Sequence, residues 1–431
     1  MQYRTAAFYK EFHCIGGICE DSCCENWEID LDDASLKNYM KQKGEFGKRL
    51  KDNTRVKDKQ FILNGTRCPF LNDKNLCDIF IEMGEECLCE TCTNFPRHIE
   101  EFDNLKEISL TMSCPEASRI MLARTEKMTF ECKEGTDAEY GLKHVEPVKS
   151  LAFWKKGHTN KLDQPLFDIL FEVREYIFEV LQNRDLPIAR RAAVVLLLAY
   201  EIQDFIDSKE YDKIGKKLAN YKKTEKMELL TAYFAKHENR VAEKEVWMKQ
   251  ILNMFEGLET IKEEWTKILS DGIRIMHGQE DLQTIMLAAG LIGNESEANQ
   301  EEKDKYQELS SFLREYKISY QEFLHYYQSK EYEYEHILVY YIFNYFLGAS
   351  YDHDVFTKVK FAIVSYLVIL ELDVAVWLKQ KKEFLYEDQV LVAHAYSKEV
   401  EHSYNNFESL QLVLSAHPIL DVEHILIGLL S

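Results

Sequence analysis

Cysteine is missing from the last two thirds of this 431-residue chain: all eleven cysteines lie between Cys14 and Cys132. Proline is absent between Pro187 and Pro418, and only seven of the 17 glycines fall in that stretch. Helix interiors reject proline, which removes a donor and clashes with the preceding turn. Positive charge is also scarce. Lys and Arg number 53 against 74 Asp and Glu, a formal net charge of −21. No basic footprint for phosphate-backbone binding is present, so no nucleic-acid partner is expected. Long apolar runs are lacking. Ala192–Tyr200 and Phe361–Leu370 are about half of the ~20 residues a bilayer demands, so no membrane partner is expected. The opening MQYRTAAFYKEFHC has no apolar h-region. No secretory signal is visible, and a cytoplasmic placement is expected. No G-x-G occurs, no P-loop string and no G-x-S-x-G elbow, which excludes a conventional dinucleotide or P-loop domain and the nucleophile-elbow hydrolases.

What is present is a globular balance, 46% hydrophobic and 29% charged, in a chain long enough for two domains. The cysteines are grouped. Cys14, Cys19, Cys23 and Cys24 stand in CIGGICEDSCC, Cys68 and Cys77 in CPFLNDKNLC, Cys87, Cys89 and Cys92 in ECLCETC, and Cys114 in SCPEASR, with Cys132 alone. The odd count, the missing signal and the adjacent Cys23–Cys24 pair argue against a secreted disulfide scaffold. Closely spaced thiolates suit soft metals. Neither His13 nor His98 belongs to an H-x3–5-H pair. An all-sulfur site is favoured, and iron–sulfur over zinc. Any one Cys can also be a small buried hydrophobe, and Cys87, Cys89 and Cys132 are the least tied to tight motifs. The gap Cys19–Cys23 lacks the further cysteine of C-x3-C-x2-C, since Asn26 occupies that place.

The fold class expected is mainly α: a small, loop-rich Cys-cluster metal domain followed by a large all-helical domain. Residues 1–132 form the first, 133–163 a polar linker, and 164–431 a helical bundle. Within the first, Trp27, Ile29 and Leu31 alternate with acidic residues as a short strand or extended arm. Asp32, Asp33 and Ser35 can cap a helix running toward Lys51. Lys106–Met112 alternates weakly as a strand. Pro115 suits the first turn of a helix, which puts Cys114 at a helix start. In the second, Leu166, Leu170, Val173, Ile177 and Val180 keep i, i+4, i+7 spacing, with Asp168, Glu172, Glu175 and Glu179 opposite. Similar stripes recur around Leu229–Phe234, Trp247–Phe255, Phe312–Phe323, Ile337–Phe346, Val359–Leu378 and Val390–Tyr396. Residues 295–305 read as a solvated acidic loop. The tyrosines at 332, 334, 340, 341 and 345 read as core packing, with an aromatic wall for a cation as the sharper alternative.

The string CIGGICEDSCCENWEIDLD, then CPFLNDKNLCDIF, then LCETCTNFPRHIEEFDNLKEISLTMSCPEASR, resembles the bacterial flagellin lysine-N-methylases and the wider group of zinc- or iron-chelating cysteine-cluster proteins. The resemblance covers roughly residues 10–125. It implies a [4Fe–4S] cluster, S-adenosylmethionine as methyl donor, and flagellin lysines as acceptor. It carries over to Cys14, Cys19, Cys23 and Cys24 in the first motif, Cys68 and Cys77 in the second, Cys92 in the third and Cys114 in the fourth, as candidate metal ligands. Which four of the eight hold the cluster stays open. Arg97 reads as a contact to an anion or as an ordinary salt bridge. No donor-binding or proton-accepting residue is singled out. The competing reading is a non-enzymatic metal-binding scaffold, or a metal-delivery protein.

Overall fold

The computed structural model describes residues 1–143, 161–278 and 300–431, and only the backbone of 300–310. The chain divides into two compact units. The first takes Met1–Ala123, Thr129–Ala152 and Ala393–Tyr404; the second takes Arg124–Met128, Phe153–Val392 and Asn405–Ser431.

The first unit is built on a four-stranded sheet. Its strands are β1 (Gln2–Ala6), β4 (Arg97–Phe102), β5 (Leu105–Leu110) and β6 (Phe130–Glu134), in the order β4-β5-β1-β6, while β2 (Thr54–Arg55) and β3 (Gln60–Phe61) pair separately. Strands β4 and β5 form a hairpin whose turn residue Asp103 has φ +47°, the left-handed geometry that a two-residue turn requires. Strand β1 runs parallel to β5 and antiparallel to β6. Arg4 and Glu107 are opposite one another in that parallel ladder and form a buried ion pair at 3.5 Å. The strand expected at 106–112 is β5. The acid-capped helix is two helices, α1 (Asp33–Lys41) and α2 (Gly44–Asp52), with Asp32 accepting from the Ser35 amide as its cap. The break falls at Gly44, whose φ of +77° no helix interior accommodates. Three short helices follow: α3 (Asp78–Met83), α4 (Glu90–Asn94) and α5 (Pro115–Leu122). Pro115 sits in the first turn of α5 and Cys114 is its N-cap. Of the segment expected as linker, Asp137–Tyr140 forms a 3-10 turn, and 144–160 lie outside the described residues.

The second unit is helical, and the chain as a whole is mainly α. Its helices are α6 (Gln164–Leu181), α7 (Ile188–Asp207), α8 (Tyr211–Tyr221), α9 (Thr224–Phe234), α10 (Val241–Glu256), α11 (Glu263–His277), α12 (Gln300–Tyr327), α13 (Glu331–Tyr345), α14 (Ala349–Asp352), α15 (Val355–Lys379), the first part of α16 (Tyr386–Glu401), α17 (Tyr404–Ala416) and α18 (Val422–Leu430). The stripe that marked α6 is its buried face: Leu166, Leu170, Val173 and Ile177 are fully enclosed. Helix α15 is long and apolar enough to cross a membrane, but 89% of its apolar window is buried inside the protein. It is the core helix around which α7, α11 and α13 pack. Residues 300–305 of the acidic segment belong to α12 rather than to a loop; 295–299 lie outside the described residues. Tyr334, Tyr340, Tyr341 and Tyr345 are buried and stack edge-on with one another, Phe361 and Tyr366. That is the core-packing reading for these four; Tyr332, the fifth, is only partly buried, its ring 6.0 Å from that of His336.

Candidate functional site

All eleven thiols are free. The first unit gathers nine of them into two nests joined by the Cys23–Cys24 peptide.

The deeper nest holds Cys24, Cys68, Cys77, Cys89 and Cys92, packed with Ile29, Leu31, Tyr39, Phe61, Phe70 and Ile79. Local hydrogen bonds build it. The Cys68 amide donates to the Cys24 carbonyl at 2.8 Å, and the Asp78 amide returns to the Phe70 carbonyl at 2.8 Å, closing the CPFLNDKNLC loop. Leu71 and Cys77 bridge across that loop, and Asn72 Oδ1 accepts the amides of Lys74 and Leu76 inside it. Cys77 and Cys89 are the residues from which α3 and α4 start, and Cys92 lies one turn into α4. Burial pushes the Cys68 thiol up to about 12 and raises Cys77. A hydrogen bond from Cys92 to Cys89 holds Cys92 high and Cys89 low. Cys89, which no tight motif marked, is fully buried here.

The second nest holds Cys14, Cys19, Cys23 and Cys114. Cys14 and Cys23 are exposed, Cys19 partly so, and Cys114 is buried. The Gly16 amide donates to Cys14 Sγ at 3.4 Å, and Cys19 Sγ donates to the Asp21 carbonyl at 3.3 Å. An ion pair from Glu20 to Arg119 ties this loop to α5, at whose start Cys114 stands. Burial lifts Cys114 to about 12, and the neighbouring Cys19 and Cys14 add to the push. The hydrogen bond with Cys24 raises Cys23 and lowers Cys24. Cys87 stands apart beside Asn38, and Cys132 is exposed on β6.

This donor set fits a thiophilic metal in kind and in number. Among the described residues, no three His, Cys, Asp or Glu side chains already converge to hold an ion, so the sulfurs must rotate inward to bind one.

Helix α16 contributes groups that no motif announced. Asp21, between Cys19 and Cys23, is gripped by His394 Nε2 and Lys398 Nζ, each at 2.7 Å, and all three are buried. Just past the end of α16, His402 Nε2 hydrogen-bonds Ser113 Oγ next to Cys114. The rings of Trp27 and Phe95 lie 4.9 and 5.5 Å from that imidazole. Burial, reinforced by Lys398, holds His402 neutral, down to about 3. Arg97 donates to the Tyr9 hydroxyl at 2.7 Å and to the Thr93 carbonyl. It is a structural brace for β4.

The second unit has a half-open cavity of about 200 Å³ lined by Lys244, Tyr316, Lys317, Tyr320 and Gln321 among others. Lys244 Nζ lies 3.9 Å from the centroid of the Tyr320 ring and donates to the Ser431 carbonyl at 2.8 Å. Burial drags its amine down to about 8. Behind the tyrosines runs a buried acid–base chain. Tyr316 donates to Glu371 Oε2 at 3.2 Å, and His277 sits between Glu371 and Glu245 at 3.2 Å from each. Burial favours the neutral imidazole, but the two carboxylates together outweigh it and raise the ring. The buried Tyr320 hydroxyl and Glu245 Oε2 have no hydrogen-bond partner among the described residues. Convergent titratable groups with displaced equilibria beside a cavity mark a candidate for chemistry. Periodicity placed these helices but could not show which polar residue among many faces which.

Residues 174–428, more than half the chain, match the FliB lysine N-methylase C-terminal domain. The chain is 31% identical over 139 residues to the flagellar biosynthetic protein FliU of Salmonella muenchen, an alignment that covers 29% of this chain and 82% of that protein. It is 29% identical over 136 residues to the lysine-N-methylase of Salmonella typhimurium, covering 30% of this chain and 34% of that one. The figures are the same for the lysine-N-methylase of Salmonella choleraesuis. The alignment thus spans about a third of those two methylases. No solved structure matches. On the match across its helical region, the chain belongs to the FliB lysine N-methylase family.

Proposed function

We propose that this protein is an S-adenosylmethionine-dependent lysine N-methyltransferase acting on flagellin, with a [4Fe–4S] cluster in its cysteine-rich unit. The observation that carries the reading is the match of 174–428 to the methylase domain, a range that contains nearly every residue of the cavity and all of the acid–base chain behind it.

The chemistry sets the requirement. A nitrogen lone pair must attack the methyl carbon in line as the carbon–sulfur pair leaves with sulfur. A lysine with a reference pKa of ~10.4 offers less than about a tenth of a percent neutral amine at pH 7. The partly apolar wall disfavours an ammonium by desolvation, and a cationic Lys244 beside it disfavours a second positive charge. The lost proton has an acceptor in reach of the wall, through the Tyr316 hydroxyl to Glu371. At about 200 Å³ the cavity is smaller than the ~300–1,000 Å³ of whole-ligand clefts. It suits the lysine side chain rather than the entire donor. Four of Cys14, Cys19, Cys23, Cys24, Cys68, Cys77, Cys92 and Cys114 would hold the cluster, and the second nest supplies a set of four. When bound, a cluster supplies iron as a Lewis acid and cross-links the loops that carry its ligands. The acidic surface attracts lysine-rich patches in a salt-dependent way.

The test is transfer itself. Anaerobically purified protein, labelled donor and purified flagellin should give label on flagellin lysines, read by mass spectrometry. Iron-loaded protein that neither binds donor nor labels flagellin would overturn the enzymatic reading and favour a metal-binding scaffold.

A further inference from the structure

The sheet of the first unit ends on two unlike edges. On β4 every residue is buried or half-buried. On β6 every residue after Phe130 is exposed, and no strand among the described residues pairs with its outer side. An open edge offers a row of backbone donors and acceptors to another extended chain.

The ladder with β1 fixes where those groups point. It continues past both ends of β6: the Ala7 amide donates to the Thr129 carbonyl at 2.9 Å, and the Gly135 amide to the Met1 carbonyl at 3.3 Å. On an antiparallel strand, residues two apart turn their backbone groups to the same side. With Thr5 opposite Glu131 and Tyr3 opposite Lys133, the odd-numbered residues from 129 to 135 face β1. Cys132 and Glu134 therefore turn their amides and carbonyls to the open side. Cys132 is the middle residue of the strand.

Charged side chains usually deter pairing at such an edge. Here their order invites it in one register. Glu131 and Lys133 share one face of β6, where they pair with each other, and their side chains are 53% and 61% exposed. Outward groups of two antiparallel copies meet only where even-numbered residues stand opposite even-numbered ones. Centred on Cys132, that arrangement sets Glu131 opposite Lys133 of the second copy, and two-fold symmetry repeats the match. Centred on Glu131 it sets two glutamates face to face, and centred on Lys133 two lysines. Opposite charges across a ladder stabilise it and like charges destabilise it. The strand is thus complementary to itself, in a register that charge selects.

We infer that β6 is an interaction surface for a second copy of this chain, the two strands pairing edge to edge and antiparallel about Cys132, so that the two sheets continue as one. The contact is isologous, with the two-fold axis between the paired Cys132 residues. These exchange both backbone hydrogen bonds, with Cα atoms about 5.5 Å apart. So short a strand buries less than a permanent interface does, and the association is reversible and depends on concentration. It stands without the methylase reading.

The test uses the full chain, purified anaerobically. Sedimentation equilibrium should show the mass rising with concentration from 50.8 kDa toward twice that value. A short bis-maleimide should join Cys132 to Cys132, identified by mass spectrometry of the linked peptide, and Cys132→Ser should abolish that link. Glu131→Lys and Lys133→Glu each set like charges opposite one another and should weaken association roughly tenfold. The double variant, with both exchanges, should recover it. Mixing the two single variants should also recover it, because one strand then presents two lysines and the other two glutamates. Both positions are exposed, so folding is not at stake. A chain that stays monomeric at every concentration overturns the inference. So does a dimer indifferent to both charge reversals, or one that yields no Cys132 link. Methyl transfer to flagellin is scored separately and is touched by none of these outcomes.

Discussion

Asp21 and Lys398, 377 residues apart in sequence, form an ion pair of 2.7 Å with both side chains almost fully buried. It fastens the loop between Cys19 and Cys23 to helix α16. Two charges taken out of water need each other, and removing one strands its partner. Lys398→Ala should therefore cost about 3–5 kcal/mol of unfolding free energy, measured by denaturant titration. Asp21→Asn with Lys398→Met should recover most of that loss. Alkylation of Cys19 should be faster in the single variant and return toward the wild-type rate in the double. Unchanged stability and alkylation in Lys398→Ala would show that the loop holds its shape without the clamp.

A second buried network lies in the helical unit. Glu335, fully buried, receives Arg191 at 2.7 Å and both prongs of Arg184 at 2.8 and 3.1 Å. Arg191 also donates to the carbonyls of Leu181 and Leu186 and pairs with Glu331. It thereby joins the turn between α6 and α7 to α13. Glu335→Ala should destabilise by about 3–5 kcal/mol, since Arg191 stays buried with its main counter-charge gone. Arg184→Ala should cost much less, because that side chain is 38% exposed and water can take its place. Equal losses in the two variants would contradict this ranking.

These contacts mark the boundary of what the sequence could tell. The α6 stripe, the start of α5 at Cys114 and the β5 alternation were legible because each is written within a few residues. Pro115 fixes a helix start by its own ring. The sheet was not legible in the same way. Strand β1 pairs with β5 and β6, more than 100 residues away, and only tertiary contacts select that partner. Likewise the eight motif cysteines could be named but not sorted. Their division, and the place of Cys89 in the deeper nest, depend on how separate loops close on one another. Asp21 carries no signal at all until Lys398 and His394 are brought to it.

Stability should respond to pH through Glu333. Burial, partly offset by the Tyr327 hydroxyl at 2.6 Å, raises its carboxyl from 4.5 to about 7. Below the unfolded value both states hold the proton and nothing is lost. Between about 4.5 and 7 the unfolded chain releases the proton while the folded protein keeps it. The folded state then loses ground as pH rises, and the loss stays in place above that range. Glu333→Gln removes the titration. The gap in stability between variant and wild type should shift in the variant's favour as pH goes from 4.5 to 7. A gap constant across that window would mean that Glu333 ionises in the fold as it does in water.

Lys244 gives the sharpest test of the cavity as the place where a lysine is made nucleophilic. Its amine, held down to about 8 by burial, is largely cationic at pH 7, and a cation in the wall favours the neutral form of an incoming amine. Lys244→Met removes that charge while keeping a long apolar side chain. Methyl transfer by the variant should be slower at pH 7, with the deficit in kcat rather than in KM for flagellin. Raising the pH should close the gap, because above about 8 the wild-type amine is itself neutral and the two proteins then present similar walls. Tyr316→Phe breaks the link to Glu371 but not the charge. It should lower the rate at every pH without moving the profile. A Lys244→Met profile parallel to wild type at all pH values would take Lys244 out of the chemistry and leave it a brace for Ser431.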